Sequence, residues 1–125
     1  MKKILVIEDN NEIRENASEM LELADYEVHT ANNGQEGLQI IRSLMPDLIL
    51  CDIHMPVMNG YDVLDHVKED PLLTNIPVVI LSAFSEKTDV QKGLQKGAAD
   101  YIIKPFDELQ LLKVVEAFIK RDANL

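Results

Sequence analysis

Tryptophan is missing from the 125-residue chain, cysteine occurs once, and glycine and proline occur five times each. A lone Cys51 cannot close an internal disulfide, and no Cys/His spacing fits a zinc site. Apolar stretches run to only a few residues, which leaves nothing that spans a bilayer. The N-terminal MKKILVIEDNNE turns acidic after a run of four apolar residues, too soon for the core of a secretory signal. Positive charge is also scarce: 12 Lys and Arg face 22 Asp and Glu, a formal net charge of −10. A surface of that sign repels a polyanion, so general nucleic-acid binding is not expected. With 46% apolar and 27% charged residues the composition is that of a globular domain, and the length is that of one domain. These features together read as a soluble, cytoplasmic protein without a membrane segment.

Strand-like runs alternate with helical periods from end to end. Lys3-Ile4-Leu5-Val6-Ile7 stops at Glu8-Asp9-Asn10, and Ile13, Ala17, Met20, Leu21 and Ala24 then form a one-sided stripe, with Asn10 or Asn11 as its N-cap. Glu27–Ala31 is a weaker strand, followed by a helix with Leu38, Ile41 and Leu44 inward that Pro46 stops. Leu48-Ile49-Leu50-Cys51 is apolar without interruption until Asp52, as a strand buried on both faces should be. A loop rich in breakers, His54-Met55-Pro56-Val57-Met58-Asn59-Gly60, leads to a helix carrying Val63, Leu64 and Val67. Val78-Val79-Ile80-Leu81 forms a fourth strand ending at Ser82, and a helix using Val90 and Leu94 ends near Gly97. Tyr101-Ile102-Ile103 closes at Lys104-Pro105, and the last helix sets Leu109, Leu112, Val115, Phe118 and Ile119 along one face. Five βα units with short connections predict an α/β domain with a parallel sheet and helices on both faces.

In such a sheet, ligands bind beyond the carboxyl ends of the strands. Glu8-Asp9, Asp52, Ser82 and Lys104 all stand there, on strands that would be neighbours in the order 2-1-3-4-5. Each alone has a plainer reading as a turn former, a helix cap or a solvated side chain. Their shared position in four separate βα units makes those plain readings a run of coincidences. Converging carboxylates call for a hard divalent cation, and oxygen ligands with room for water favour Mg²⁺, or Mn²⁺, over zinc. Lys104 and Ser82 can neutralise and hydrogen-bond a phosphoryl group, and an Asp carboxylate can itself be the nucleophile. Asp52, ending the most central strand, is the first candidate.

The strings ILVIEDN, PDLILCDIHMPVMNGYDVL, IPVVILSA and GAADYIIKPF strongly resemble the receiver domain of two-component response regulators, over residues 2–120. The resemblance implies a flavodoxin-like, three-layer, doubly wound (βα)5 fold, with residues 1–125 as a single receiver and 121–125 as a frayed tail or the start of a linker. It implies that Asp52 is the phosphoacceptor, charged by a histidine kinase or histidine phosphotransfer protein. Glu8, Asp9 and Asp52 would hold Mg²⁺, Glu8 through a water, with the His54 backbone carbonyl as the remaining protein ligand. Ser82 and Lys104 would bind the phosphoryl group. Lys104-Pro105 matches a peptide bond that is cis in this family. Tyr101 would be the switch aromatic that turns inward as Ser82 moves.

The departures are mild: Glu for Asp at the first acid, and Ser for the frequent Thr at position 82. His54 and Phe84 stand where the family tunes hydrolysis, and a bulky Phe84 is expected to hinder an attacking water. The expected role is a signalling module, not a turnover enzyme, passing its state to an effector protein or a fused output domain through the Tyr101 and last-helix face. Homodimerisation on phosphorylation stays open. Met1 directly before the first strand fits a native start.

Rival readings fare worse. A flavodoxin-type redox domain would want a hydroxyl- and glycine-rich loop after the first strand, where Glu8-Asp9-Asn10-Asn11-Glu12 stands. Neither G-x-G-x-x-G nor G-x-x-x-x-G-K-[ST] occurs, and the D-x-D of an Asp-nucleophile phosphatase is absent. A receiver-like scaffold that binds partners without phosphate would have lost residues that are all present. Cys51 reads as core filler, and His29, His54 and His66 as surface or loop residues.

Overall fold

The computed structural model describes residues 1–83 and 87–119. Five strands, β1 (Lys3–Ile7), β2 (Glu27–Ala31), β3 (Leu48–Asp52), β4 (Val78–Ala83) and β5 (Asp100–Lys104), alternate with five helices. The helices are α1 (Asn11–Leu23), α2 (Gly34–Leu44), α3 (Gly60–Glu69), α4 (Lys87–Gln95) and α5 (Glu108–Phe118). The strands form one sheet in the order β2-β1-β3-β4-β5, every pair parallel. All five residues of β3 are buried, which is why that strand carries no polar alternation before Asp52.

Alternation along the strands divides the interior into two cores. Leu5, Ile7, Ile49, Cys51, Val78 and Ile80 face one side, where α2 brings Leu38 and Ile41 and α3 brings Val63, Leu64 and Val67. Ile4, Val6, Leu48, Leu50, Val79 and Leu81 face the other, against Ala17 and Leu21 of α1 and Leu111 and Val115 of α5. Helices on both faces give the expected three layers. Cys51 is filler in the first core, and burial pushes its thiol up, with the charges of Asp52 and Glu8 adding to the effect.

Four helices begin on capping side chains, those of α1, α2 and α5 just past a strand end and that of α3 after the loop that follows β3. Asn10, Asn33, Asn59 and Asp107 accept backbone N–H groups of Ile13, Glu36, Asp62 and Gln110. α2 stops on Met45 in the left-handed region at φ 53°, directly before Pro46, and the turn after α4 uses Gly97 at φ 107°.

Several details differ from the sequence reading. β4 runs through Ser82 to Ala83, which pairs with Lys104, so Ser82 lies within the strand. In α5 the inward stripe is Leu111 and Val115, whereas Leu109 is 78% exposed and Phe118 40%. Asp107 as N-cap places Leu109 in the first turn on the solvent side. In α4 the buried pair is Val90 and Gly93, with Leu94 turned outward, and Leu44 is half-buried. Phe84 and the expected tail at 121–125 lie outside the described residues.

Candidate functional site

Parallel register brings the predicted polar residues to one edge. Ile7 pairs with Cys51, Asp52 with Leu81, and Ala83 with Lys104, so β1, β3, β4 and β5 end side by side. Glu8 and Asp9 follow β1 and differ in depth: Glu8 is fully buried, while Asp9 stands exposed at the rim. The Glu8 backbone is fastened on both sides. Its N–H donates to the Ala31 carbonyl at 3.1 Å, and its own carbonyl accepts from the Arg14 guanidinium at 2.8 Å. Asp52, the last residue of the buried β3, is 5% exposed.

Lys104 reaches across the sheet end to both buried acids. Its Nζ donates to Glu8 Oε1 at 2.9 Å and to Asp52 Oδ1 at 3.2 Å. The Lys104-Pro105 bond is cis, as the family resemblance implies. The other Glu8 oxygen accepts the Asn10 N–H at 3.2 Å. One carboxylate oxygen from each of Glu8, Asp9 and Asp52 lies within 4.8 Å of the others. These groups, with Asn10, Ile13, His54 and Ala83, line an open pocket of about 490 Å³.

The electrostatics are unbalanced. Three carboxylates meet one ammonium, and the Glu8 carboxyl is pushed up to about 7. Burial is the main cause; the Lys104 hydrogen bond pulls the other way, and the Asp52 charge pushes it up again. Burial would draw the Lys104 ammonium down, but its contacts with Glu8 and Asp52 together hold it above its ordinary value. An excess of oxygen donors, one of them destabilised as an anion, suits a small hard divalent cation, and the cluster could hold one.

Ser82 and Tyr101 do not line this pocket. The Ser82 hydroxyl is buried and donates to the Ala83 carbonyl at 3.4 Å, and Ala83 forms the pocket wall on that strand. Tyr101 is 41% exposed and borders a cleft against α4, away from the acidic pocket. His54 lines the pocket, and its ring reaches outward to Asp89 of α4 at 2.8 Å. Met55 and Met58 serve loop packing, Met55 within the core and Met58 against it. Arg14 and Asp89 had no signal in the sequence. Gly60 did: a Cβ there would lie 2.3 Å from the Asp52 carbonyl oxygen, so helix α3 starts pressed on the end of β3.

The model of the response regulator receiver domain matches residues 4–116. The chain belongs to that family. Among similar proteins are a transcriptional regulatory protein CpxR homolog of Haemophilus influenzae, 37% identical over 99% of this chain and 53% of that protein, and the phosphate regulon regulator PhoB of Pseudomonas aeruginosa, 38% identical over 96% and 52%. The chain thus spans about half the length of the curated relatives it matches. Among solved structures, the chemotaxis protein CheY4 of Vibrio cholerae superposes with a TM-score of 0.89 at 32% identity, covering 95% of this chain and 99% of that one. The receiver domain of a histidine kinase from Syntrophus aciditrophicus does so with a TM-score of 0.87 at 33% identity, covering 100% and 97%. The receiver fold and strand order expected from the sequence are therefore those of this protein. No helix of the described residues is long and apolar enough to cross a membrane.

Proposed function

We propose that this receiver is a phosphorylation-controlled signalling module whose acceptor is Asp52. The supporting observation is the Asp52 carboxylate itself, nearly buried at the centre of the strand edge, with one oxygen on Lys104 and two further acids beside it. Oδ1 is held by the ammonium, which leaves the other oxygen to attack phosphorus. The new O–P bond forms as the P–N bond of a donor phosphohistidine breaks, and the departing imidazole nitrogen takes up a proton. Lys104 stays charged and offsets the negative charge brought in by the phosphoryl oxygens. Ser82 supplies a hydroxyl donor from β4 once its bond to the Ala83 carbonyl is given up.

Glu8, Asp9, Asp52 and the His54 carbonyl would hold Mg²⁺, which when bound neutralises the acids and the transferring group. Donors of this kind are histidine kinases and phosphotransfer proteins. The state of the site passes to a separate effector or a fused output domain through the Tyr101 and α5 face. The acidic surface speaks against nucleic-acid contact by the receiver itself. The single, buried, free cysteine supports a reducing, cytoplasmic setting. The module promotes its own phosphorylation and dephosphorylation without turning over a separate substrate.

Incubation with Mg²⁺ and acetyl phosphate, read by intact mass beside Asp52→Asn, tests this. The expected result is a Mg²⁺-dependent, hydroxylamine-labile phosphoryl adduct that is lost in the variant. An adduct that persists in Asp52→Asn would move the acceptor elsewhere. A protein that neither binds Mg²⁺ nor takes up phosphate, from acetyl phosphate or from a kinase, would reduce the acids to structural residues.

A further inference from the structure

Helix α4 is seated on the sheet by one valine and one glycine. Val90 and Gly93 are its buried residues, and a Cβ on Gly93 would lie 2.0 Å from Ile80 Cδ1. Such a shallow seat leaves the helix dependent on contacts at its flank, and these gather on Asp89 in its first turn. Asp89 Oδ2 is 2.8 Å from His54 Nε2, and the Asp89 backbone carbonyl accepts the Tyr61 hydroxyl at 2.8 Å. Nearly one turn on, the Lys92 ammonium sits 4.6 Å from the centroid of the Tyr61 ring. One flank of α4 is therefore tied to the loop after β3 and to the first turn of α3. The other flank faces a cleft of about 450 Å³ in which Val90 and Leu94 confront Tyr101 and Ile103 of β5.

His54 belongs to both neighbourhoods. It lines the acidic pocket two residues after Asp52, and its ring is the group on Asp89. We propose that His54, Asp89 and Tyr61 form a latch that fixes α4 while the acidic pocket is empty, and that occupation of the pocket loosens α4 through His54. The release step rests on the proposed function above; the latch itself rests only on the contacts between α4, α3 and the β3–α3 loop. A group that engages the His54 peptide from the pocket competes for the orientation of the ring that holds Asp89. The cleft beside Tyr101 would widen or close as α4 shifts, so the latch sets which arrangement of that face prevails.

Amide hydrogen exchange over residues 91–95, with α1 and α5 as internal controls, tests the proposal in the full chain. Asp89→Ala removes the carboxylate that holds His54 and keeps the backbone carbonyl that takes the Tyr61 hydroxyl; Tyr61→Phe removes the hydroxyl's bond to that carbonyl and no charge. Without Mg²⁺, α4 exchange is expected to rise about three- to tenfold in Asp89→Ala and less in Tyr61→Phe, with the controls unmoved. Mg²⁺ alone should speed α4 exchange in the parent protein and add little in Asp89→Ala. Unchanged α4 exchange in Asp89→Ala, or a Mg²⁺ response as large as that of the parent, would overturn the latch. A parent protein that binds no Mg²⁺ and gains no phosphoryl adduct would refute the proposed function and the release step together. The variants' exchange without metal still judges the fastening by itself.

Discussion

The raised carboxyl of Glu8 makes cation binding depend on pH in a calculable way. With a pKa of about 7, that side chain holds a proton over much of the physiological range, and a cation bound at Glu8, Asp9 and Asp52 must displace it. The apparent affinity is then divided by one plus the ratio of protonated to ionised Glu8. That divisor is about 1.1 at pH 8, about 2 at pH 7 and about 11 at pH 6, so Mg²⁺ affinity should fall roughly tenfold from pH 8 to pH 6. Lys104 adds no slope in this range, because its carboxylate contacts hold its pKa above the ordinary lysine value. Isothermal titration in buffers of different ionisation enthalpy reads both quantities: the affinity, and the release of about 0.9 proton per cation at pH 6 against about 0.1 at pH 8. Glu8→Gln should bind more weakly and lose most of the slope. A flat affinity between pH 6 and 8, or an undiminished slope in Glu8→Gln, would refute the argument.

The same group sets the sign of stability without metal. Its pKa is raised in the fold, so the folded state favours the protonated acid. That contribution is complete below about pH 4.5 and is lost as pH rises through about 7, an effect of about 3 kcal/mol in urea unfolding. Saturating Mg²⁺ should oppose this loss, because it binds the ionised form.

Two substitutions test the packing that holds the site. Gly60→Ala should gain about 0.5–1 kcal/mol from helix propensity and lose more, because the new methyl would sit 2.3 Å from the Asp52 oxygen and 2.9 Å from Ile53 Cα, both backbone atoms that no rotamer change can clear. A net loss of about 2 kcal/mol in urea unfolding, with slower adduct formation at Asp52, is expected; equal or greater stability would contradict the close approach. Val57 is 83% exposed at φ 72°, in a tight turn closed by the Met58 N–H on the Pro56 carbonyl at 2.8 Å. Relief of that left-handed strain in Val57→Gly should outweigh the added freedom of the unfolded chain and stabilise the protein by about 1 kcal/mol; a loss of stability would show that the turn carries no such strain.

What the sequence revealed, and what it hid, follows from the polarity of a parallel sheet. Every strand runs the same way, so residues that end strands must meet at one edge, and Glu8, Asp9, Asp52 and Lys104 could be grouped before any coordinate was known. The depth of each residue could not be read so directly. Glu8 and Asp9 are adjacent acids in the chain, yet the turn after β1 buries one and exposes the other. Ser82 looked like a residue beyond its strand because β4 is buried throughout its apolar run and shows no alternation to count. Its true end depends on how far β5 extends beside it. In and just after α5, eight apolar residues from 109 to 119 permit two stripes, and the Asp107 cap rather than hydrophobicity selects Leu111 and Val115.

The contacts made by Asp89 lie furthest from sequence reasoning. His54 and Asp89 are 35 residues apart, and Tyr61 and Asp89 are 28 apart, so no local period marks them. They meet because β3 and β4 are neighbours, and the elements following these two strands are set side by side. The chemistry at the strand ends follows from sheet direction alone, whereas its coupling to α4 depends on side chains that only tertiary packing brings together. Changes at Asp89 or Tyr61 should therefore alter how this receiver answers its acceptor while leaving the acceptor's own residues in place.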